Sequence, residues 1–224
     1  MIVVLFGKPG AGKGTQAPRL AEALGAQILA TGDVLRAALK AGTPTGLEAK
    51  RYMDAGQLVP DSVILAIVKD ALAEPRFARG AVLDGVVRTV PQAEGLARVL
   101  GELGRRLDAV LVFDIDDEEI VRRVSDRVVC DKTQQPFMHL EPGTPCPQGC
   151  GGTLVRRADD EPEAVRTRLE VYRAQTLPVL AWYEQDGAAV RTIDAVGDVD
   201  AVTRRALDAL GIGGGATAGA ATAA

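Results

Sequence analysis

The stretch Ile2-Val3-Val4-Leu5-Phe6-Gly7-Lys8-Pro9-Gly10-Ala11-Gly12-Lys13-Gly14-Thr15 decides how the rest of the chain is read. An unbroken apolar run closed by glycine suits a strand buried on both faces of a parallel sheet. Behind it Ala17, Leu20, Ala21 and Leu24 recur at i, i+3, i+4 and i+7, one face of a helix. Strand, glycine-rich loop and helix in that order make a phosphate cradle. Glycines let the loop curl until backbone N–H groups point inward, and the helix N-terminus adds positive potential there. Lys13 brings a point charge toward the β- and γ-phosphates of a nucleotide. One detail departs from the general pattern: Gly14 follows Lys13, and the hydroxyl comes one place late, at Thr15.

Outward from this loop, strand and helix patterns alternate. Ile28 to Ala30 predicts a short strand. Ile64, Ile67, Val68, Ala71 and Leu72 keep helical spacing behind Asp61, a plausible N-cap. Further strands are expected at Ala81 to Asp84, Ala109 to Ile115 and Ala189 to Ile193. Ala93, Leu96, Ala97, Leu100 and Leu103 mark a helix between the first two. Such alternation predicts an α/β fold, a doubly wound parallel sheet with helices on both faces. Two segments break the rhythm. Residues 30 to 59 read as short helices with little core of their own, and 127 to 158 is rich in Pro, Gly, Cys and Thr with strand-like fragments, a small β-rich insertion. A long helix is expected after Asp160, with Pro162 in its first turn. The core domain is thus drawn over 1–29, 60–126 and 159–212. A tail of Gly, Ala and Thr over 213–224 is expected to be disordered.

The 224 residues carry a formal net charge of -4, which argues against general nucleic-acid binding. No apolar run reaches the roughly 18 residues of a membrane span, and the apolar start runs into the loop with no basic region before it, so no signal peptide is read and a cytoplasmic chain is expected. Cys130, Cys146 and Cys150 cluster within the β-rich insertion. In a reducing compartment such a cluster points to metal rather than to a disulfide scaffold.

Gly10-Ala11-Gly12-Lys13-Gly14-Thr15-Gln16 resembles the loop of adenylate kinases and their nucleoside monophosphate kinase relatives. The resemblance runs on through Thr31-Gly32-Asp33-Val34-Leu35-Arg36, Leu83-Asp84-Gly85-Val86-Val87-Arg88-Thr89 and Gln92. It continues in Arg123, Arg127, Arg157-Ala158-Asp159-Asp160 and Arg168, covering the chain short of its tail. It implies phosphoryl transfer from Mg-ATP to AMP by a monomer whose insertions 30–59 and 127–158 are the monophosphate-binding subdomain and a lid of the long bacterial type. ATP would lie on Gly10, Ala11, Gly12, Lys13, Gly14, Thr15, Arg123 and Arg127. AMP would lie against Thr31, Gly32, Arg36, Met53, Val59, Gly85, Arg88 and Gln92. Lys13, Arg88, Arg123, Arg157 and Arg168 would carry the transfer, and Asp33 and Asp84 the waters of Mg²⁺. Transfer of this kind needs positioning and charge rather than a covalent step, which is why arginines with bidentate forks are wanted.

Bland readings stand beside these. Arg122 and Arg166 read as solvated helix faces. Thr89-Val90-Pro91-Gln92 also reads as a capping box, with Gln92 at N3; base contact and cap could coexist. A UMP/CMP kinase would share loop and arginines, but the resemblance puts alanine and asparagine in such relatives at the places of Thr31 and Gln92. A nucleotide-binding switch would not need six arginines, and a zinc-ribbon module would not need the kinase frame. By the same resemblance, lids that hold zinc use two Cys-x-x-Cys or Cys-x-x-Asp pairs. Here Thr133 stands where the partner of Cys130 would be, so His139, the only histidine, is the candidate fourth ligand with Cys130, Cys146 and Cys150. Val86-Val87 replaces the family's Phe-Pro, which removes an expected aromatic wall beside AMP and a stiffening proline.

Overall fold

In the computed structural model, residues 1–212 are described; the tail expected from 213 onward lies outside the described residues. The apolar run forms β1 (Ile2–Gly7), buried along its whole length, and Lys13–Leu24 forms α1. Then come β2 (Gln27–Ala30), α2 (Thr31–Lys40), α3 (Pro44–Asp54), α4 (Asp61–Ala73), β3 (Ala81–Asp84), α5 (Val90–Glu102) and β4 (Ala109–Asp114). After α6 (Asp117–Ser125) the chain leaves the main sheet for β5 (Arg127–Cys130), β6 (Pro136–Met138) and β7 (Leu154–Val155). It returns through α7 (Pro162–Val171), α8 (Pro178–Gln185), β8 (Val190–Asp194) and α9 (Val199–Ala209).

The main sheet is parallel, in the order β2-β3-β1-β4-β8. Central strands read as continuous apolar runs because helices cover both faces. One core gathers Val4, Phe6, Leu83, Leu96, Leu100 and Phe77 on the side of α4 and α5. The other gathers Leu5, Leu20, Leu111, Phe113, Ile120 and Val202 on the side of α1 and α9. The strand order reverses beside β1, so the loop after it opens at the carboxyl edge, where open α/β sheets take ligands. A second, antiparallel sheet, β6-β5-β7, stands apart around a small core of Val128, Cys130, Cys146 and Leu154.

Two expectations change. The long helix after Asp160 is not regular: α7 ends at Val171, and Tyr172–Thr176 forms a wider π-type turn in which Leu177 N donates to Tyr172 O at 2.8 Å. Pro178 has no N–H for the ladder, and α8 runs on from there with Leu177 still in helical backbone. Nor is Asp61 the N-cap of α4. Pro60 holds that place with extended backbone, and Asp61 is the first helical residue, its carboxylate engaged by α5.

Within 30–59, α2 and α3 are held nearly backbone to backbone. Thr43 caps α3 by accepting from Gly46 N at 3.1 Å, and its hydroxyl donates to Ala38 O at 3.1 Å. A Cβ at Gly46 would fall 2.3 Å from Ala38 C and Leu39 N, so only glycine permits this approach. Gly46→Ala is therefore expected to cost about 1–3 kcal/mol as overpacking, read as a melting temperature lower by about 2–4 °C per kcal/mol. A parental melting temperature in thermal denaturation would show that the two helices accommodate the methyl.

Candidate active site

The loop after β1 is built from its glycines. Gly10 (φ 86°) and Gly12 (φ 93°) sit in the left-handed region, and a Cβ at Gly10 would meet Val124 Cγ2 at 2.8 Å. The turn closes with Ala11 N donating to Lys8 O at 3.1 Å and Thr15 N to Gly12 O at 3.0 Å, leaving α1 to open toward the cleft. Lys13 Nζ folds back on the loop's own carbonyls, donating to Gly7 O at 2.7 Å and Lys8 O at 2.9 Å.

Around this loop runs a cleft of about 610 Å³. Gly10, Ala11, Gly12, Lys13, Gly14 and Thr15 line its floor. Thr31, Gly32, Asp33, Arg36, Met53, Val59, Asp84, Gly85, Arg88 and Gln92 line one wall, and Arg123, Arg127, Arg157, Asp159 and Arg168 the other. Every residue singled out for nucleotide or Mg²⁺ thus borders the same space; only the cysteines do not. Gly85 (φ 67°) is again in the left-handed region that favours glycine, and a Cβ there would press on the end of Arg88, 2.9 Å from Nη2. Thr31 Oγ1 donates to Gly85 O at 2.8 Å and ties α2 to the end of β3.

Eight lysine and arginine side chains line the cleft against five carboxylates, in a chain whose net charge is -4. Local counter-charges hold them. Arg36 pairs with Asp33, Arg123 with Glu119 (2.8 Å), and Arg168 with Asp159 (3.1 Å). Arg127 Nε donates to Asp160 Oδ2 at 2.8 Å. The cost of crowding shows in the proton affinities. Burial lowers Lys13 to about 8, against the pull of Asp84, with Arg88, Arg168 and Arg127 lowering it further. Burial and the neighbouring Arg36 and Arg127 lower Arg157 to about 10, and Arg88 and Arg168 are also lowered, first by burial. Burial pushes the Asp84 carboxyl up against the opposing pull of Lys13 and Arg88. Among the described residues no group accepts from the buried Arg36 Nε or Arg157 Nε, which leaves both donors open to an anion in the cleft.

A family model described as adenylate kinase matches residues 5–188. An adenylate kinase of Gemmatimonas aurantiaca is 59% identical over 95% of this chain and all of its own length. That of Syntrophotalea carbinolica is 45% identical over 95% of this chain and all of its own, and that of Methanothrix thermoacetophila 44% identical over 90% and 94%. The chain belongs to the adenylate kinase family. No helix among the described residues is long and apolar enough to cross a membrane.

Two expectations drawn from the adenylate kinase pattern need correction. The sulfurs of Cys130, Cys146 and Cys150 lie within 4.8 Å of one another, but His139 is not with them. The register of β5 with β6 explains why. Arg127 pairs with Met138 and Val129 with Pro136, so His139 is carried to the opposite end of the strand from Cys130, roughly 13 Å along it. There its ring lies 3.5 Å from Asp126 Oδ2, mostly exposed, and borders the cleft. Val86 is the second correction: at 1% exposed it packs in the core and is not among the residues lining the cleft, so position 86 is no wall of the site.

Sequence reasoning missed Glu119, which holds Arg123 from one turn earlier, and Asp61, which stands behind Gln92. A helical i, i+4 spacing carried the first signal; the second had none beyond a helix start.

The Lys13 shift has a pH consequence. Its folded pKa of about 8 lies below that of the unfolded chain, 10.5. Between the two the unfolded state binds more protons, so stability rises with pH across that window, and the folded protein carries a charge penalty below it. A polyphosphate on the loop supplies the missing anion and raises Lys13 again. Calorimetry with tripolyphosphate near the Lys13 pKa of about 8, in buffers of different ionisation enthalpy, should show proton uptake. Heats independent of buffer would refute it.

Proposed function

We propose that the protein is an adenylate kinase in action as well as descent, passing the terminal phosphoryl group of Mg-ATP to AMP to give two ADP. The observation that carries this is one cleft bordered by a phosphate loop with its Lys13, the six arginines Arg36, Arg88, Arg123, Arg127, Arg157 and Arg168 on opposite walls, and the buried amide of Gln92. A single nucleotide would not need cations on both walls; two polyphosphates brought end to end would. In this reading Lys13 and the N–H groups of the loop hold the β- and γ-phosphates of ATP. Arg36 and Arg88 hold the phosphate of AMP, and Arg123, Arg127, Arg157 and Arg168 surround the group in transit. Transfer is in line, with no covalent intermediate: the side chains position and neutralise. Asp84 and Asp33 suit the waters of the Mg²⁺ that travels with ATP, which adds charge neutralisation at the phosphates.

Residues 30–59 and 127–158 act as two flaps over this cleft, supported by Lys40 Nζ of the first donating to Asp131 O of the second at 3.3 Å. Their closure excludes water that would otherwise hydrolyse ATP. Three free thiols suit a reducing, cytoplasmic setting.

The acceptor panel tests this. In a coupled assay of ADP formation AMP should outrun CMP and UMP by a wide margin, and Lys13→Met should lose more than ~10²-fold of the rate as a preorganised charge is removed. Near-normal activity of that variant, or equal rates with CMP, would sink the reading.

The thiol cluster is read as a structural zinc site. At a Zn–S distance of about 2.3 Å, tetrahedral sulfurs stand about 3.8 Å apart, and these three lie within 4.8 Å, with Cys130 and Cys150 at 3.4 Å. Hydrogen bonds from Thr133 lower the Cys130 thiol to about 6, readying it as a thiolate, while burial raises Cys146 to about 11. Among the described residues no His, Asp or Glu joins them, so the chain supplies three ligands. Zinc would clamp β5 to the loop before β7, stiffening the lid without touching the chemistry. Protein purified without chelator should hold about one zinc per chain, and its removal should lower the melting temperature. Less than about 0.2 zinc per chain would count against a tight site.

A further inference from the structure

Gln92 is buried at 1% exposed, and each atom of its amide is anchored once. Arg88 N donates to Gln92 Oε1 at 2.7 Å, and Gln92 Nε2 donates to Asp61 Oδ1 at 2.7 Å. Asp61 Oδ1 also accepts from Thr89 Oγ1 at 3.0 Å, and Thr89 Oγ1 in turn accepts from Gln92 N at 3.2 Å. Half of the capping box expected from the sequence forms, with Thr89 the N-cap of α5 accepting from Gln92 N, but the Gln92 side chain reaches past Thr89 to Arg88 and its nitrogen is claimed by another helix. Both anchors are chemically one-sided. A backbone N–H only donates and a carboxylate only accepts. The orientation of the amide therefore follows from its partners, whichever end is labelled oxygen. Turning it over would set N–H against N–H and lone pair against lone pair in a buried place.

We propose that Asp61 is a positioning residue which locks the Gln92 amide and so sets the preference for a 6-amino purine over a 6-oxo purine. It rests on the reading that Gln92 faces the base of the acceptor. Asp61 is not among the residues lining the cleft; it acts from behind, through Gln92. Once both anchors are made, Gln92 has left one lone pair on Oε1 beside one hydrogen on Nε2. Adenine offers the complement, an amino N–H next to the N1 lone pair. Hypoxanthine offers the reverse, the O6 lone pairs next to N1–H, and would need the flipped amide that Asp61 and Arg88 forbid. A buried polar group built for one pattern rejects its mirror far more strongly than an apolar pocket could.

The test uses AMP and inosine monophosphate as acceptors, which differ only at position 6 and the proton on N1. Wild type, Asp61→Ala, Asp61→Asn and Gln92→Ala are compared by kcat and KM. Asp61→Ala should raise the KM for AMP about tenfold with much less change in kcat, and lower the AMP-to-IMP ratio of kcat/KM by about tenfold or more. Asp61→Asn keeps an acceptor oxygen and should fall between. A role confined to the start of α4 would move both acceptors alike and leave the ratio standing. A parental ratio in Asp61→Ala, with a collapsed ratio in Gln92→Ala, overturns the proposal alone. A parental ratio in Gln92→Ala overturns the reading of Gln92 on which it rests. Should Asp61→Ala fail to fold, the isosteric Asp61→Asn decides, and a parental ratio there overturns the proposal.

Discussion

Repulsion among like charges is the constraint on which the rest of this structure depends. Lys13, Arg88, Arg157 and Arg168 are held with proton affinities below their ordinary values, each lowered first by burial and then by cationic neighbours, among which Arg36 and Arg127 recur. No local propensity would assemble such a set. Three of the four are fixed to something rigid: Lys13 by its hydrogen bond to Gly7 O at the end of β1, Arg88 to the turn after β3, Arg168 to α7. The carboxylates lining the cleft are fewer than the cations, and Asp160 stands behind, paired with Arg127 and Arg168 without bordering the cleft. That leaves a surplus of donors facing inward. Phosphate oxygens satisfy such donors without rearrangement, which is the economical way to stabilise charge at the moment of transfer.

Close approach is the second requirement, and glycine supplies it where charge is to be concentrated. Gly85 admits Arg88, and Gly32 admits Arg36, whose guanidinium would lie 3.1 Å from a Cβ at that position. The loop glycines and the wall glycines thus share a purpose, though only the former fall in a recognisable motif.

The parallel core was legible because β1, β3 and β4 are apolar without interruption and the helices between them keep one face. The phosphate loop was legible because its spacing is dictated by backbone curvature. Arg36, Arg88, Arg123, Arg127, Arg157 and Arg168 were found through motif resemblance; nothing in composition separates them from Arg122, which differs in being a largely exposed partner of Glu119. What stayed hidden depends on register and on partners far away in sequence. His139 was assigned to metal because it is the only histidine and a fourth ligand was wanting, yet antiparallel pairing carries it to the far end of the hairpin from Cys130. Asp61 was read as a cap because helix starts favour aspartate, and its true partners, 28 and 31 residues onward, leave no local trace.

Charge and hydrogen bonding divide the labour of recognition here. Arginine forks bind any phosphate, so the cations cannot choose among nucleotides that share the same phosphates. Choice among bases has to come from groups that present donors and acceptors in fixed order, and a free glutamine fails this, since its amide turns over at little cost. In the reading proposed above, Gln92 is made selective by being placed between a backbone N–H and a carboxylate, each of which can play only one part. Arg88 joins the two functions, because its guanidinium lines the cleft while its backbone N–H orients the amide. Phosphate grip and base choice are therefore mechanically coupled through one residue, and a shift in the turn after β3 would be felt in both.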